Sequence, residues 1–292
     1  MKDGIRPRRS VLYMPGANAR ALEKARELPA DGLIFDLEDA VAPAAKEGAR
    51  ATVAAALAAA GYGDRERVLR LNGLDTQWGK ADLAFAARLP LDAVLLPKVE
   101  AGEEVGRAVA ALEAAGVPAE LAVWCMVETP RGVLAAAEIA AAHPRVAVLV
   151  MGTSDLGKEL RGRDRGDRLP LLPALGLALL AARAHGRDIL DGVHLDLADA
   201  AGFAAACAQG RDLGFDGKTL IHPSQIAAAN AAFGPSEAEV ERSRRIVAAH
   251  AEAEAAGKGI VVVDGRLVEN LHVAQARRTL ALAEAISRKE PR

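Results

Sequence analysis

The 292-residue chain is short of cysteine, of net charge, of long apolar runs and of several familiar catalytic motifs. Its two cysteines, Cys125 and Cys207, lie far apart in apolar surroundings without CxxC spacing. That argues against a disulfide framework or a cysteine-based zinc site and leaves buried structural thiols as the expectation. The net charge is −2, so no global basic excess points to nucleic acid or to an anionic membrane surface. A small anionic ligand held by one arginine or by a metal stays compatible with it. No run of 18 apolar residues escapes interruption by charge, Gly or Pro, so no membrane-spanning helix is expected. The opening MKDGIRPRRS is basic but no apolar stretch of signal length follows it, and a cytoplasmic protein is expected.

No GxGxxG, HExxH or GxSxG occurs, and the six histidines lack metal-ligand spacing. Gly217-Lys218-Thr219 looks like the end of a P-loop, but the first glycine of that pattern would fall at Asp212. The phosphate-cradling turn therefore cannot form. His222 precedes Pro223 at a predicted strand end; it either touches a site there or fixes its loop by hydrogen bonds.

What the chain does have is rhythm. Eight short apolar runs, at 10–15, 32–38, 67–72, 93–98, 122–128, 146–155, 189–196 and 217–222, each end on or near a polar or charged residue. Ala-rich stretches with helical patterning separate them, at 20–28, 44–60, 77–88, 102–115, 132–142, 171–185, 199–213 and 224–233, often closed by Gly or Pro. Runs such as VLLP and VAVLVM do not alternate, which suits a sheet buried on both faces. Eight strand-then-helix units predict an α/β fold, a (β/α)8 TIM barrel over residues 1–234. In such barrels chemistry sits at the C-terminal strand ends. Two stretches break the rhythm. RGRDRGDR, at 161–168, reads either as a solvated loop or as a lid or phosphate contact. After Pro235 come a helix at 237–257, a strand-like segment at 260–264, a turn at Gly265 and a helix at 273–288. This C-terminal helical extension, 235–292, exceeds what a barrel needs and is expected to pack on a neighbouring subunit or to cover the site.

The predicted strand ends gather a charged set. Glu128, in MVETPRGV, and Asp155, in MGTSDLGKEL, close neighbouring strands. Adjacent strands lie ~4.8 Å apart, so the two carboxylates are candidates to hold one hard cation. Mg²⁺ suits them, because it takes one or two carboxylates and fills its remaining positions with water and substrate oxygens. Arg70, in VLRLNG, can grip a carboxylate or a developing oxyanion. Asp36, Glu38 and Asp39, in FDLEDAV, add charge at another strand end and are candidates to orient Arg70 or metal-bound water. Ion pairing at a barrel rim explains any one of these residues, but the convergence of five or more favours a function.

With these residues in view, the chain resembles the HpcH/HpaI aldolase superfamily, and within it the citrate lyase β-subunit-like (CitE-like) and malyl-CoA lyase branch. RRSVLYMPGANARALEKA, DGLIFDLEDAVAPAAKEGAR, RLNG, LLPKVE, ETPRGV, GTSDLGKEL and LGFDGKTLIHPSQI occur in that family's order over nearly the whole chain. The resemblance implies a barrel assembled as a homotrimer or a multiple of one, Mg²⁺ as cofactor, and an acyl-CoA with a 2-oxo acid as substrates. It makes Glu128 and Asp155 the metal ligands, places Arg70 on the oxo-acid, and counts Arg70, Asp39 and Glu269 as catalytic. Glu269 stands where the family often carries an Asp that enters an adjacent protomer's site; here the carboxylate has one extra methylene, and Asp264 nearby stays open as the alternative. Arg20, Lys24 and Lys46 are candidate CoA contacts or plain surface charge.

The implied reaction is carbon–carbon cleavage, or the reverse condensation, of a 3-hydroxy-3-carboxyacyl-CoA such as malyl-, citramalyl- or citryl-CoA. The products are an acyl-CoA and a 2-oxo acid: glyoxylate, pyruvate or oxaloacetate. Three alternatives remain: a citrate lyase β subunit acting on an acyl carrier protein, a metal-dependent aldolase on free hydroxy-oxo acids, and a catalytically idle binding protein on the same barrel.

Overall fold

The computed structural model describes residues 5–163, 165–255 and 261–289. Eight parallel strands, β1 (Ser10–Pro15), β2 (Gly32–Asp36), β3 (Glu66–Arg70), β4 (Ala93–Leu96), β5 (Ala122–Val127), β6 (Val146–Met151), β7 (Asp188–Asp191) and β8 (Gly217–Leu220), close into a barrel in chain order. Helices α1 (Ala19–Lys24), α2 (Lys46–Ala58), α3 (Gly79–Ala86), α4 (Gly102–Ala114), α5 (Pro130–Leu134), α6 (Ala136–Ala141), α7 (Thr153–Leu160), α8 (Leu172–Ala184), α9 (Ala200–Leu213) and α10 (Ile226–Phe233) connect and surround them. The predicted (β/α)8 barrel is thus the observed one.

Alternation along each strand sorts the side chains into two buried sets. Val11, Ile34, Val68, Leu95, Trp124, Met126, Val148, Val150 and Leu190 form the barrel lumen. Their neighbours, such as Leu33, Phe35, Leu69, Val94, Cys125 and Leu149, pack outward against the helices. Both cysteines are buried and free, and burial pushes the Cys125 thiol up to about 12, as expected of inert structural thiols. At the N-terminal end the Arg8 guanidinium lies 5.4 Å from the Trp124 ring and pairs with Glu66 at 2.7 Å and Asp188 at 2.5 Å.

Helices α1, α5 and α9 begin where a side chain satisfies an otherwise orphaned backbone N–H. Asn18 accepts from Ala21 at 3.0 Å, Thr129 from Gly132 at 3.0 Å and Asp199 from Gly202 at 2.8 Å. Several predicted elements differ; the run 189–196, for one, is strand only to Asp191. The run 146–155 is strand only to Met151, and α7 takes over from Thr153 with Asp155 in its first turn and Lys158 in its last, placements that suit the helix dipole. The stretch 132–142 divides at Ala135, whose backbone leaves the helical region at φ −93° and ψ 5°.

Residues 234–255 and 261–289 form a second compact unit with residues 5–7. It holds α11 (Glu237–Ala255), the antiparallel hairpin β9 (Val261–Val263) and β10 (Arg266–Val268), and α12 (Asn270–Lys289). Ile246, Ala253, Val261, Val263, Val268, Val273 and Ala276 are its core. The predicted strand-like segment is therefore half of a hairpin, turned by Asp264 and Gly265, both at positive φ. Parts of the expected helix 237–257 and segment 260–264 fall on residues 256–260, outside the described residues.

Candidate active site

The alternation that builds the lumen also builds the site. Asp36 follows Ile34 and Arg70 follows Val68 by two residues, so both point into the lumen one layer above the apolar core, in register with each other. Asp36 grips one edge of the guanidinium, Arg70 Nε to Oδ1 at 2.8 Å and Nη2 to Oδ2 at 2.5 Å. Arg70 Nη1 reaches Glu38 at 2.9 Å and Asp39 at 3.5 Å. The Tyr13 ring lies 5.0 Å from the guanidinium. Burial works against the charge on Arg70, but the hydrogen bonds and charge of Asp36 outweigh it and raise its pKa. Burial likewise raises the Tyr13 phenol.

Glu128 follows Met126 by two residues and is buried at the end of β5. Its Oε1 accepts the Lys98 backbone N–H at 2.8 Å. The Gly152 N–H donates to Val127 O at 3.0 Å and ties the ends of β5 and β6 together. A Cβ at position 152 would lie 2.3 Å from the Glu128 Cβ and 2.5 Å from its Oε2. The glycine is there for space, since its φ of −93° is open to any residue. Burial, and after it the nearby charge of Asp155 acting against Lys98 and Arg70, pushes Glu128 up to about 7. Asp155, 40% exposed, sits on the first turn of α7 rather than on the strand, three residues beyond Gly152.

Lys98, immediately past β4, was given no role from sequence. Its ammonium lies 2.7 Å from Glu38, 3.7 Å from Asp39 and 4.0 Å from Asp155. Burial and a hydrogen bond with Asp39 raise Glu38, while Asp39, its burial outweighed by Glu38 and the positive groups Arg70, Lys98 and Lys46, is lowered. The reasoning that selected Arg70, a charge at a strand end, applies equally to Lys98.

Other candidates resolve differently. Lys46 is buried and donates to Leu37 O at 3.0 Å, Glu38 O at 2.7 Å and Asn72 Oδ1 at 2.6 Å. Its ammonium is spent on holding the 37–38 backbone, and it is no CoA contact. Arg20 and Lys24 stay exposed on α1. His222 fixes its loop, its Nδ1 accepting from Ser224 N at 3.2 Å. In the loop 161–168 the described residues 161–163 and 165–167 are exposed, as in a solvated loop, while Arg168 inserts against buried Asp191 at 2.7 Å, and Asp191 also binds Lys218 at 2.8 Å. Lys218 is thereby a core ion-pair partner and not a phosphate ligand. Asp264 is a turn residue paired with Arg245 at 2.8 Å. Glu269 lies in the second unit, exposed between β10 and α12.

Among the described residues no three His, Cys, Asp or Glu side chains form a metal cluster. A two-carboxylate site fits the habit of Mg²⁺, which keeps several water or substrate oxygens.

Residues 9–223 match the HpcH/HpaI aldolase/citrate lyase family. The chain belongs to that family. A (3S)-malyl-CoA thioesterase of Cereibacter sphaeroides is 57% identical over 281 residues, 96% of each chain. The citrate lyase subunit beta of Escherichia coli is 37% identical over 284 residues, covering 96% of this chain and 94% of that one. Among solved structures, the CitE protein of Mycobacterium tuberculosis in complex with magnesium, acetoacetate and coenzyme A superposes with a TM-score of 0.76 at 32% identity, over 94% of this chain and 97% of that one. The family is one of enzymes, and magnesium accompanies that relative. No helix among the described residues is long and apolar enough to cross a membrane.

Proposed function

We propose that this family member acts with Mg²⁺ on a 3-hydroxy-3-carboxyacyl-CoA, (3S)-malyl-CoA foremost, and that its net reaction is hydrolysis to malate and free CoA. The observation that carries the reaction is the 57% identity, along 96% of both chains, to a (3S)-malyl-CoA thioesterase. The clamped Arg70 beside the Glu128–Asp155 pair supports the substrate class.

Glu128 and Asp155 would hold the metal. Bound Mg²⁺ supplies Lewis-acid polarisation of substrate oxygens. Arg70, held by Asp36 along its Nε–Nη2 edge, has N–H donors remaining for the substrate carboxylate. Asp39 and Glu38 set the charge around that contact. In hydrolysis a water oxygen bonds to the thioester carbon, the C–S bond breaks, and the leaving thiolate takes up a proton. A general base must accept the water's proton, and Glu269 from a neighbouring copy is the candidate. Exposed Val262, Leu267 and Leu271 flank it on the hairpin and α12, which supports burial of that surface against another copy in a homotrimer.

The second reading is the carbon–carbon lyase, favoured by relatives named citrate lyase subunit beta. There a base removes the substrate hydroxyl proton, the C2–C3 bond breaks to a 2-oxo acid and a thioester enolate, and a proton returns to the enolate carbon. A carrier-protein thioester or a free hydroxy-oxo acid would use the same residues.

The test is malyl-CoA with Mg²⁺, followed by thiol titration and by trapping of glyoxylate. Free thiol and malate without glyoxylate establish hydrolysis. Glyoxylate and acetyl-CoA without free thiol establish the lyase. Neither product with malyl-CoA overturns the substrate assignment.

A further inference from the structure

We infer that Lys98 confines the divalent cation to the Glu128–Asp155 pair, an inference that rests on the metal-site reading above. Lys98 follows the Leu96-Pro97 end of β4 with its backbone in the left-handed region, φ +49°. A side chain is rarely held there without a structural reason, and such residues gather at functional sites. Here the conformation does two things at once. It aims the Lys98 N–H at Glu128 Oε1, 2.8 Å away, while the next N–H, of Val99, stays bonded to Met126 O at 3.1 Å. One oxygen of Glu128 is therefore claimed. The other, Oε2, lies over Gly152, at the start of the helix that carries Asp155. Oε2, which does not carry that bond, is the oxygen we assign to the cation.

The side chain does the second part. Five carboxylates, Asp36, Glu38, Asp39, Glu128 and Asp155, converge on the mouth. Arg70 absorbs Asp36 and Glu38 Oε2. The Lys98 ammonium takes Glu38 Oε1 at 2.7 Å and stands 3.7 Å from Asp39 and 4.0 Å from Asp155. Without it, Arg70 Nη1 alone would face both Glu38, at 2.9 Å, and Asp39, at 3.5 Å, leaving an under-neutralised second acidic pair beside the first. A cation would then have two places to settle, and only one of them keeps the metal in the position set by Glu128. Lys98 thus trades affinity for position. It is a positioning residue, and an ammonium held charged by carboxylates is unsuited to forming an imine.

The experiment is Mn²⁺ binding, followed by the electron paramagnetic resonance of free Mn²⁺ and by calorimetry with Mg²⁺, on wild type, Lys98→Met, Lys98→Gln and Lys98→Arg. Circular dichroism checks the fold of each. Wild type should bind one Mn²⁺ per chain. Lys98→Met and Lys98→Gln should bind roughly tenfold more tightly, the scale of one unit charge acting on a double charge across several ångströms of water-like dielectric. Their kcat should fall more than their KM changes, because the metal is held but misplaced. Lys98→Arg, which keeps the charge, should move both quantities back toward wild type. Unchanged or weaker Mn²⁺ binding in both neutral variants overturns the inference and leaves the metal site standing. Absence of Mn²⁺ binding in wild type overturns the metal-site reading, and the inference with it.

Discussion

Gly152→Ala tests the site most directly, because the argument is steric and its size is set by two distances. The added Cβ would lie 2.3 Å from the Glu128 Cβ and 2.5 Å from Oε2. Carbon atoms pack comfortably at about 3.5–4.0 Å, so roughly 1 Å must be found. The backbone at Gly152 cannot easily supply it, since its N–H is bonded to Val127 O at 3.0 Å. Glu128 must give way, and Lys98 N–H, which holds its Oε1, gives way with it. Overpacking of this kind costs about 1–3 kcal/mol of stability. A displacement of ~1 Å in a catalytic constellation costs on the order of 10²-fold in rate. Gly152→Ala should therefore stay folded by circular dichroism, unfold at a lower denaturant midpoint, bind Mn²⁺ more weakly and lose about 10²-fold in kcat/KM at matched metal. Wild-type metal affinity and turnover in this variant would refute the placement of Glu128 as a metal ligand against Gly152.

Other outcomes follow from the same structure. Glu128 titrates near 7 when folded without metal but near ~4.3 when unfolded. Between these values the folded state keeps a proton that the unfolded chain has released. The stability from this group is full below about pH 4.3 and is lost as pH rises to about 7, by no more than roughly 3–4 kcal/mol. Urea titrations with EDTA at pH 5 and pH 8 should show wild type losing more stability than Glu128→Gln, and equal losses would remove the reason for the shift. Asp191→Ala would leave Arg168 and Lys218 facing each other without their shared anion; a loss of about 3–5 kcal/mol is expected, and a near-neutral denaturation curve would show that water relieves the pair. Glu269→Gln should lower turnover by roughly 10²-fold, the scale of a lost acid or base, with Mn²⁺ affinity unchanged; full turnover would remove Glu269 from the proposed chemistry.

The barrel was legible because a strand buried on both faces must be a short apolar run, and eight of these run between helical stretches. The predicted strand at 10–15 coincides with β1. The end of β6 was not legible, because VAVLVM passes into GTSDLGKEL without a proline or charged break. Only the Gly152 cap and the dipole-matched Asp155 and Lys158 of α7 mark the change. Of the site, Arg70, Asp36, Glu38 and Asp39 were found because each is a charge at the end of an apolar run, where burial requires a partner, and the structure joins them. Lys98 satisfies the same condition, but its partners Glu38, Asp39 and Asp155 lie just past β2 and on α7, which the local pattern around it does not show. The role of Lys46 was invisible, since its three acceptors are two backbone carbonyls and an Asn 26 residues away.

The amino-acid sequence by itself determined the strand–helix repeat and the charged strand ends. These depend on local pattern, on period 2 against 3.6, and on which residues tolerate burial. Tertiary structure alone decided which charges neutralise one another. The closed barrel sets Asp36 in register with Arg70, Gly152 beneath Glu128, and the Lys98 ammonium among acids from β2 and α7. The physical reason is that Coulomb energy depends on distances in space, and barrel closure brings groups tens of residues apart to within 4 Å, a relation that no local pattern in the chain encodes.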